Sequence, residues 1–274
     1  MEASLATPMI MGIHGVLTLH PWIRREYAEG TLDEDVFSLV ATRATAYGWL
    51  GSCEPVPVGV RWGHNDADGD WEQDGRIREL GWMQIDVGDT PRGQRLPVLP
   101  AATVLGEGLA RVGRLDFTGL HTVAPLRLAD DSRLDLLEAA GWFGLGDPEA
   151  KAAFTLTVAG TEPAEIPGRA SALLDGVRTR ARDLLTIEAP EPGAPGEPAL
   201  TPATQPGLAH PPSGGPDGGL AGMTSGLTFR CTSREWSLDL ASWVTEMVID
   251  TLRETGLTQP VAIALSRTDL TKPH

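Results

Sequence analysis

The sequence predicts an α+β protein made of two tandem ferredoxin-like units, each with the element order β-α-β-β-α-β. Three observations predict it: alternating apolar residues indicate strands, apolar stripes at helical spacing indicate helices, and both halves give the same order. We expect a first unit over 1–130, a connecting helix and loop over 131–150, and a second unit over 151–274. One continuous α+β domain with a single sheet is the competing interpretation.

In the first half, the predicted strands span 9–19, 56–62, 80–87 and 120–128, and the predicted helices span 32–49 and 103–112. Asp33, Glu34 and Asp35 fall in the first turn of the first helix, where the helix dipole favours carboxylates. Thr31 followed by Glu34 is a capping-box pattern, so we expect Thr31 to be the N-cap.

In the second half, the predicted strands span 154–158, 185–188, 227–231 and 261–265, and the predicted helices span 171–185 and 237–255. The helix at 237–255 has the strongest apolar stripe in the chain, and Gly256 is placed to end it. A helix over 133–141 joins the two units.

A Pro/Gly-rich insertion occupies residues 190–222. Its 33 residues include nine prolines and eight glycines, with no Lys, Arg, Phe, Tyr or Trp. Such a composition buries too little apolar surface to offset the entropy lost on ordering, so we expect a flexible, extended segment inside the second unit.

Composition narrows the function classes. The net charge of −15 repels a phosphate backbone, which argues against a nucleic-acid partner. The apolar stretches are shorter than the roughly 18 residues of a membrane-spanning helix, and the first residues do not resemble a secretory leader. Two cysteines make no disulfide framework. We therefore expect a cytoplasmic protein with Cys53 and Cys231 reduced, Cys231 being a small buried hydrophobe.

Sequence motifs for common cofactors are absent: the chain has no phosphate loop, no dinucleotide turn, no nucleophile elbow and no H-E-x-x-H pair. We therefore expect no cofactor. The acidic run 64–74 resembles the start of an EF-hand loop, but Trp71 stands at the glycine position and Ile77 at the last ligand position. A solvated acidic loop between two strands explains this run better than a divalent-ion site.

Three histidines are candidate general bases: His14, His64 and His121. His14 and His20 share one face of the first strand but lie about 20 Å apart at a rise of about 3.3 Å per residue, so they do not bind one metal ion together. No metal site is expected. The first and fourth strands of the unit are not expected to pair, although the rings of His14 and His121 could converge at one sheet face.

A binding edge is predicted where aromatic residues fall outside strands and helices. These candidates are Trp22, Arg24 and Tyr27, with Trp71 in the acidic run. The leading hypothesis is a cytoplasmic protein-binding or assembly module without a cofactor, meeting a protein partner or a second copy of itself. The alternative is a cofactor-independent enzyme of cyclase, isomerase or monooxygenase type that acts on a small organic substrate, at the level of fold analogy.

Overall fold

The computed structural model describes residues 8–51, 62–87, 95–130, 133–162, 165–192, 205–209, 223 and 225–269. The strands are β1 (Met9–Leu19), β2 (Leu50–Gly51), β3 (Trp62–Asp68), β4 (Arg78–Val87), β5 (Gly113–Pro125), β6 (Ala152–Gly160), β7 (Leu185–Ile187), β8 (Glu191–Pro192), β9 (Ser225–Ser233) and β10 (Pro260–Arg267). The helices are α1 (Pro21–Glu29), α2 (Val36–Ala46), α3 (Val98–Val112), α4 (Arg133–Phe143), α5 (Ala170–Ala181) and α6 (Leu238–Glu254).

All of these strands belong to one sheet. Its order is β2-β3-β4-β1-β5-β10-β6-β9-β7, with β8 paired to β9 beside this path. The two halves of the chain meet where β5 pairs antiparallel with β10, from Pro125 opposite Pro260 to Gly119 opposite Ser266. The fold is therefore mixed α+β with a single sheet, as the competing interpretation held.

When the two-residue strands β2 and β8 are left out, each half contributes four strands in the same spatial order. In the first half this order is β3-β4-β1-β5, and in the second half it is β7-β9-β6-β10. Counting strands along the chain within each half, both orders are second, third, first, fourth. The halves therefore share one strand order while forming one sheet.

The helices pack on one face of the sheet because the strands alternate. Met9, Met11 and Ile13 of β1 point into the main core, which also holds the buried faces of α2, α3, α5 and α6. Ile10 points to the opposite face, where it joins a smaller apolar cluster. That second face carries most of the buried polar residues considered below. None of the helices in the described part of the chain has the length and apolarity needed to cross a bilayer.

Helix α6 agrees with its prediction. Its N-cap is Ser237, whose hydroxyl accepts a hydrogen bond from the N–H of Leu240 at 3.1 Å. Thr255 is the C-cap and Gly256 follows with φ of +78°, a left-handed conformation that favours glycine. Cys231 on β9 is a free, buried thiol, as expected, and burial raises its pKa; Cys53 lies outside the described residues.

Helix α2 begins later than predicted. Asp35, and not Thr31, is its N-cap: the carboxylate accepts from the N–H of Ser38 at 2.7 Å, and the Ser38 hydroxyl accepts from the N–H of Asp35 at 3.0 Å. Thr31 instead follows Gly30, the left-handed C-cap of α1. The sequence pattern predicts no helix at the position of α1.

Other boundaries also shift. Helix α3 begins at Val98, five residues before its predicted start, and β5 begins at Gly113 and not at 120. The predicted second strand at 56–62 lies mainly outside the described residues. The described strand β3 covers residues 62–68, so the first half of the acidic run is paired with β4 and is not a loop.

Removal of Arg180 tests the buried ion pair between α5 and α6. Its guanidinium donates from Nε and Nη2 to Oδ2 of the fully buried Asp250, at 2.9 and 2.6 Å. Arg180→Ala takes two hydrogen bonds and a positive charge away from that buried carboxylate. We therefore expect a loss of about 3–5 kcal/mol in the free energy of unfolding. The matched control Arg234→Ala breaks a 3.9 Å surface pair and should cost less than about 1 kcal/mol. Equal losses of unfolding free energy in the two variants, measured by urea denaturation, would show that the buried pair contributes no more than a surface pair.

Candidate functional site

His14, Glu79 and His121 meet on the sheet face opposite the helices. They lie on β1, β4 and β5, and β1 is hydrogen-bonded to both of the other strands. The expectation that the first and fourth strands do not pair is therefore wrong, because β5 is the direct neighbour of β1. This adjacency is what brings His14 and His121 together. Both rings have 0% of their surface exposed.

Irregular strand pairing positions His14. In β1 the register with β4 shifts between Ile13 and His14, and the register with β5 shifts between His14 and Gly15. Leu80 on β4 and Thr118 on β5 are the extra residues at these two bulges. Bulges of this kind reorient neighbouring side chains. Both of them occur beside the same histidine.

Gly12 gives the cluster its space. It lies opposite His121 on β5, and a Cβ at position 12 would overlap the His121 ring and lie 2.7 Å from Oε1 of Glu79. The His121 ring therefore lies over the bare backbone of β1 and reaches towards β4. A glycine inside a strand indicates such a close approach, so Gly12 was the sequence signal for this site.

The hydrogen bonds define the protonation of the two rings. The backbone N–H of Ala209 donates to Nδ1 of His14 at 3.1 Å, and Nε2 of His14 lies 2.8 Å from Nδ1 of His121. A neutral His14 therefore carries its proton on Nε2 and donates it to His121. Burial, reinforced by the neighbouring His121, lowers the pKa of His14 well below its ordinary value. The ring is neutral at physiological pH.

Residues 205–209, which we call the strap, cover this face of the sheet. They contact four consecutive strands: Thr118 donates to the carbonyl of Gly207 at 2.6 Å, Ser266 accepts from the N–H of Gly207 at 2.6 Å, and Gln205 donates to Thr157. With the bond from Ala209 to His14, the strap is fastened to β5, β10, β6 and β1. It thereby spans both halves of the sheet.

Apolar packing completes the strap. Leu208 is buried in the small cluster that also contains Ile10, Val123, Ala262 and Ala264. Its side chain lies directly over Gly119, where an added Cβ would overlap Leu208. These five residues come from the predicted flexible insertion; for the rest of 193–222, which lies outside the described residues, flexibility stays a prediction.

The second half of the acidic run surrounds one arginine. Arg78 forms ion pairs with Asp70, Glu72 and Asp74, and the hydrogen bond from Arg78 is the main cause that lowers the pKa of Asp74. The guanidinium supplies the positive charge that a cation would bring to these carboxylates. Within the described ranges, His14, Glu79 and His121 are instead the group that could hold a metal ion.

Two predicted site residues lie apart from this cluster. His64 is on β3, where its ring meets Phe37 edge-on with centroids 6.3 Å apart, and burial lowers its pKa. Trp71 is only 6% exposed, and its indole N–H donates to the carbonyl of Leu80 at 3.1 Å. Trp71 therefore presents almost no surface to a partner in this structure, and its binding role stays a prediction.

Helix α1 carries the remaining predicted binding residues. Trp22 is 59% exposed, Tyr27 is also exposed, and no residue of this helix is buried. His20 stacks on Trp22 with ring centroids 4.6 Å apart, and Arg24 donates to the carbonyl of Leu19 at 3.4 Å. Trp22 lies at one side of a groove of about 900 Å³ between α1, α2 and α3. Its lining residues include Ile23, Leu39, Ala46, Glu34, Arg43, Glu107 and Arg111.

A second groove of about 530 Å³ lies between α3, α4 and α6. Trp142 is exposed at its side, and the buried Glu246 lies in it, paired at 2.6 Å with Arg95. Arg95 also pairs with Asp135 at 2.8 Å. Burial raises the pKa of Glu246 in spite of the guanidinium. Glu107 lines both grooves, so they adjoin on the helical side of the molecule.

Sequence reasoning missed Glu79 and the strap. Glu79 is far from His14 and His121 in the chain, so no motif connects the three. Gln205 and Gly207 were hidden in a Pro/Gly-rich composition. Comparison with family models finds none that matches the chain, and comparisons with curated proteins and with solved structures also find no match.

Gly119→Ala tests the seating of the strap. The added methyl would overlap Leu208 and lie 3.0 Å from the carbonyl oxygens of Gly207 and Leu265, so the strap must move. We expect a loss of about 1–3 kcal/mol in the free energy of unfolding and faster proteolysis near residues 205–209. Gly168→Ala is the control, because nothing lies within 4 Å of its Cβ position. A strap that resists proteolysis equally in both variants would refute the contact.

Arg95→Ala tests the second groove. Burial raises the folded-state pKa of Glu246, so the stability linked to its proton is present below the unfolded pKa and lost as pH rises through the folded pKa. Without Arg95 the carboxylate is harder to ionise. Because Arg95 is partly exposed, we expect a loss of about 1–3 kcal/mol at pH 7 that shrinks towards pH 4.

The control for this prediction is the same substitution made in a Glu246→Gln background. With no carboxylate at position 246, Arg95→Ala should then have only the small effect on the unfolding free energy that the exposed pair with Asp135 contributes. A pH-independent loss in the Glu246 background would show that the guanidinium acts through packing and not through this charge.

Proposed function

We propose that the protein is a cytoplasmic binding module that takes a protein partner in the groove beside Trp22. The observation that carries this proposal is helix α1, which has no buried residue and exposes two aromatic side chains. A helix with so little buried surface gains little stability from packing against the rest of the protein. Exposed Trp and Tyr beside a concavity are typical of anchors at protein interfaces.

The groove offers apolar contact in a region of balanced charge. Ile23, Leu39 and Ala46 supply apolar surface, while two glutamates and two arginines line the same groove. Arg43 pairs with Glu107, and the Tyr47 hydroxyl donates to that carboxylate at 3.0 Å. This fixed network surrounds the space without filling it. A single apolar or aromatic anchor from a partner suits such a groove.

The charge of the whole molecule indicates the partner's surroundings. With a net charge of −15, the protein attracts basic proteins and repels acidic ones and nucleic acids. The partner we propose therefore presents an apolar side chain flanked by Lys or Arg. An amphipathic helix laid against α1 and α2 matches both features.

We also propose that the two halves are tandem ferredoxin-like units, which the identical strand order of the two halves supports. The alternative function is a cofactor-independent enzyme using His14, His64 or His121. It has less support, because His14 and His121 have no exposed surface and a substrate would first have to displace the strap.

The experiment places the photoreactive residue p-benzoylphenylalanine at position 22 of the full chain in its own cell type. We expect one crosslinked polypeptide, a basic partner protein. Its affinity for the purified protein should fall at least about tenfold with Trp22→Ala, because an exposed anchor contributes binding energy and little stability. Leu145→Ala removes an even more exposed apolar side chain outside the groove and should leave the affinity within about twofold.

Two outcomes would contradict the proposal. One is a protein that stays strictly monomeric in native mass spectrometry and crosslinks to nothing from position 22. The other is a captured partner that binds wild type and Trp22→Ala equally well. In that case the groove beside α1 is not the interface.

A further inference from the structure

The cluster of His14, Glu79 and His121 brings three possible metal-ligand atoms close together in the buried part of the sheet. Nε2 of His14 and Nδ1 of His121 are 2.8 Å apart, and Oε1 of Glu79 lies 3.6 Å from the His121 nitrogen and 4.0 Å from the His14 nitrogen. The donors come from three hydrogen-bonded neighbouring strands, so the backbone of the sheet fixes their spacing. Two imidazoles and one carboxylate are a donor set that divalent transition metals prefer.

We propose that this cluster binds one divalent transition-metal ion, best fitted by Zn²⁺. A tetrahedral ion with Zn–N and Zn–O bonds of about 2.0–2.1 Å needs donor atoms about 3.3–3.4 Å apart. The separations here bracket that value, and small side-chain shifts reach it. Two of the three exceed the roughly 3.0 Å that an octahedral ion with similar bond lengths would need, so the spacing favours four-coordination.

Gly12 is the feature of the backbone that makes this arrangement possible. A side chain at position 12 would occupy the space where the His121 ring and the Glu79 carboxylate approach each other. Two bulges flank His14 at the same place in the sheet, and bulges reorient the side chains beside them. The bare backbone at position 12 therefore allows the His121 ring and the Glu79 carboxylate to approach each other within reach of His14.

Binding of the ion has a consequence for the strap. In the structure Nδ1 of His14 accepts a hydrogen bond from the N–H of Ala209. When Nε2 coordinates the ion, a neutral ring carries its proton on Nδ1, where it faces that N–H. Two donors repel each other, so the bond from Ala209 breaks. Residue 209 is therefore held more loosely in the ion-bound protein.

The first test is calorimetric titration of chelator-treated full-length protein with zinc chloride. We expect one tight site per chain, weakened at least about 100-fold in His121→Ala and Glu79→Gln, since even outer-shell changes weaken metal sites by about 10–100-fold. His64→Ala is the matched control: it removes a buried histidine from a nearby strand and should change the affinity less than about threefold. Circular dichroism of each variant checks that it is folded.

Cobalt(II) gives a spectroscopic readout of the site in the wild-type protein itself. Intense visible absorption bands are expected for four-coordinate Co²⁺ in wild type and should be absent in Glu79→Gln. Hydrogen exchange supplies the third readout, in which the Ala209 amide should exchange faster after zinc is added.

Three results would overturn the proposal. The first is a wild-type protein that binds zinc no more tightly than His121→Ala does. The second is an equal zinc affinity of wild type and Glu79→Gln. The third is an Ala209 amide whose hydrogen exchange is slowed or left unchanged by zinc. The first two would mean that the cluster is only a hydrogen-bonded network or that the acidic surface binds zinc adventitiously. The last would exclude coordination through Nε2 of His14.

Discussion

The antiparallel pairing of β5 with β10 holds the two halves of the chain in one sheet. Without it each half would end in a strand with unpaired backbone groups, which invites association with other chains. The pairing makes both strands central in one sheet. It also places Thr118 of the first half near Ser266 of the second, so that one strap residue, Gly207, bonds to both. The two halves are thereby joined twice, by backbone pairing and by the strap.

The sheet face opposite the helices is rich in buried polar residues, and this follows from the position of the strap. Buried polar groups require partners, and the strap supplies them for Thr118, Thr157 and Ser266 along three strands. His14 is the fourth point of attachment and also a member of the histidine–glutamate cluster. Fastening of the strap and occupation of the cluster therefore compete for one imidazole. On the opposite side of the molecule, α1 and the two grooves lie on the helical layer, so a partner bound there does not meet the strap.

Sequence periodicity predicted most elements, since β1 and α6 carry clear apolar patterns that packing reinforces. It failed where context overrides local preference. The carboxylates of residues 66–68 suggested a loop, yet pairing with β4 holds them in a strand. The candidate site was only half predictable: His14 and His121 were identified as residue types, but their contact depends on strand order and on two bulges that no spacing reveals. The roles of Glu79 and of the strap become visible only when the strand register is known, because the residues that they contact lie far away in the chain.

Anomalous diffraction at the zinc absorption edge, from crystals grown with zinc, would locate the ion in the protein. We expect one strong peak between Nε2 of His14, Nδ1 of His121 and the Glu79 carboxylate, each within about 2.2 Å of the ion, with the bond from Ala209 to His14 broken. Peaks confined to surface carboxylates, with the 2.8 Å contact between the two imidazoles intact, would show that the cluster does not bind zinc.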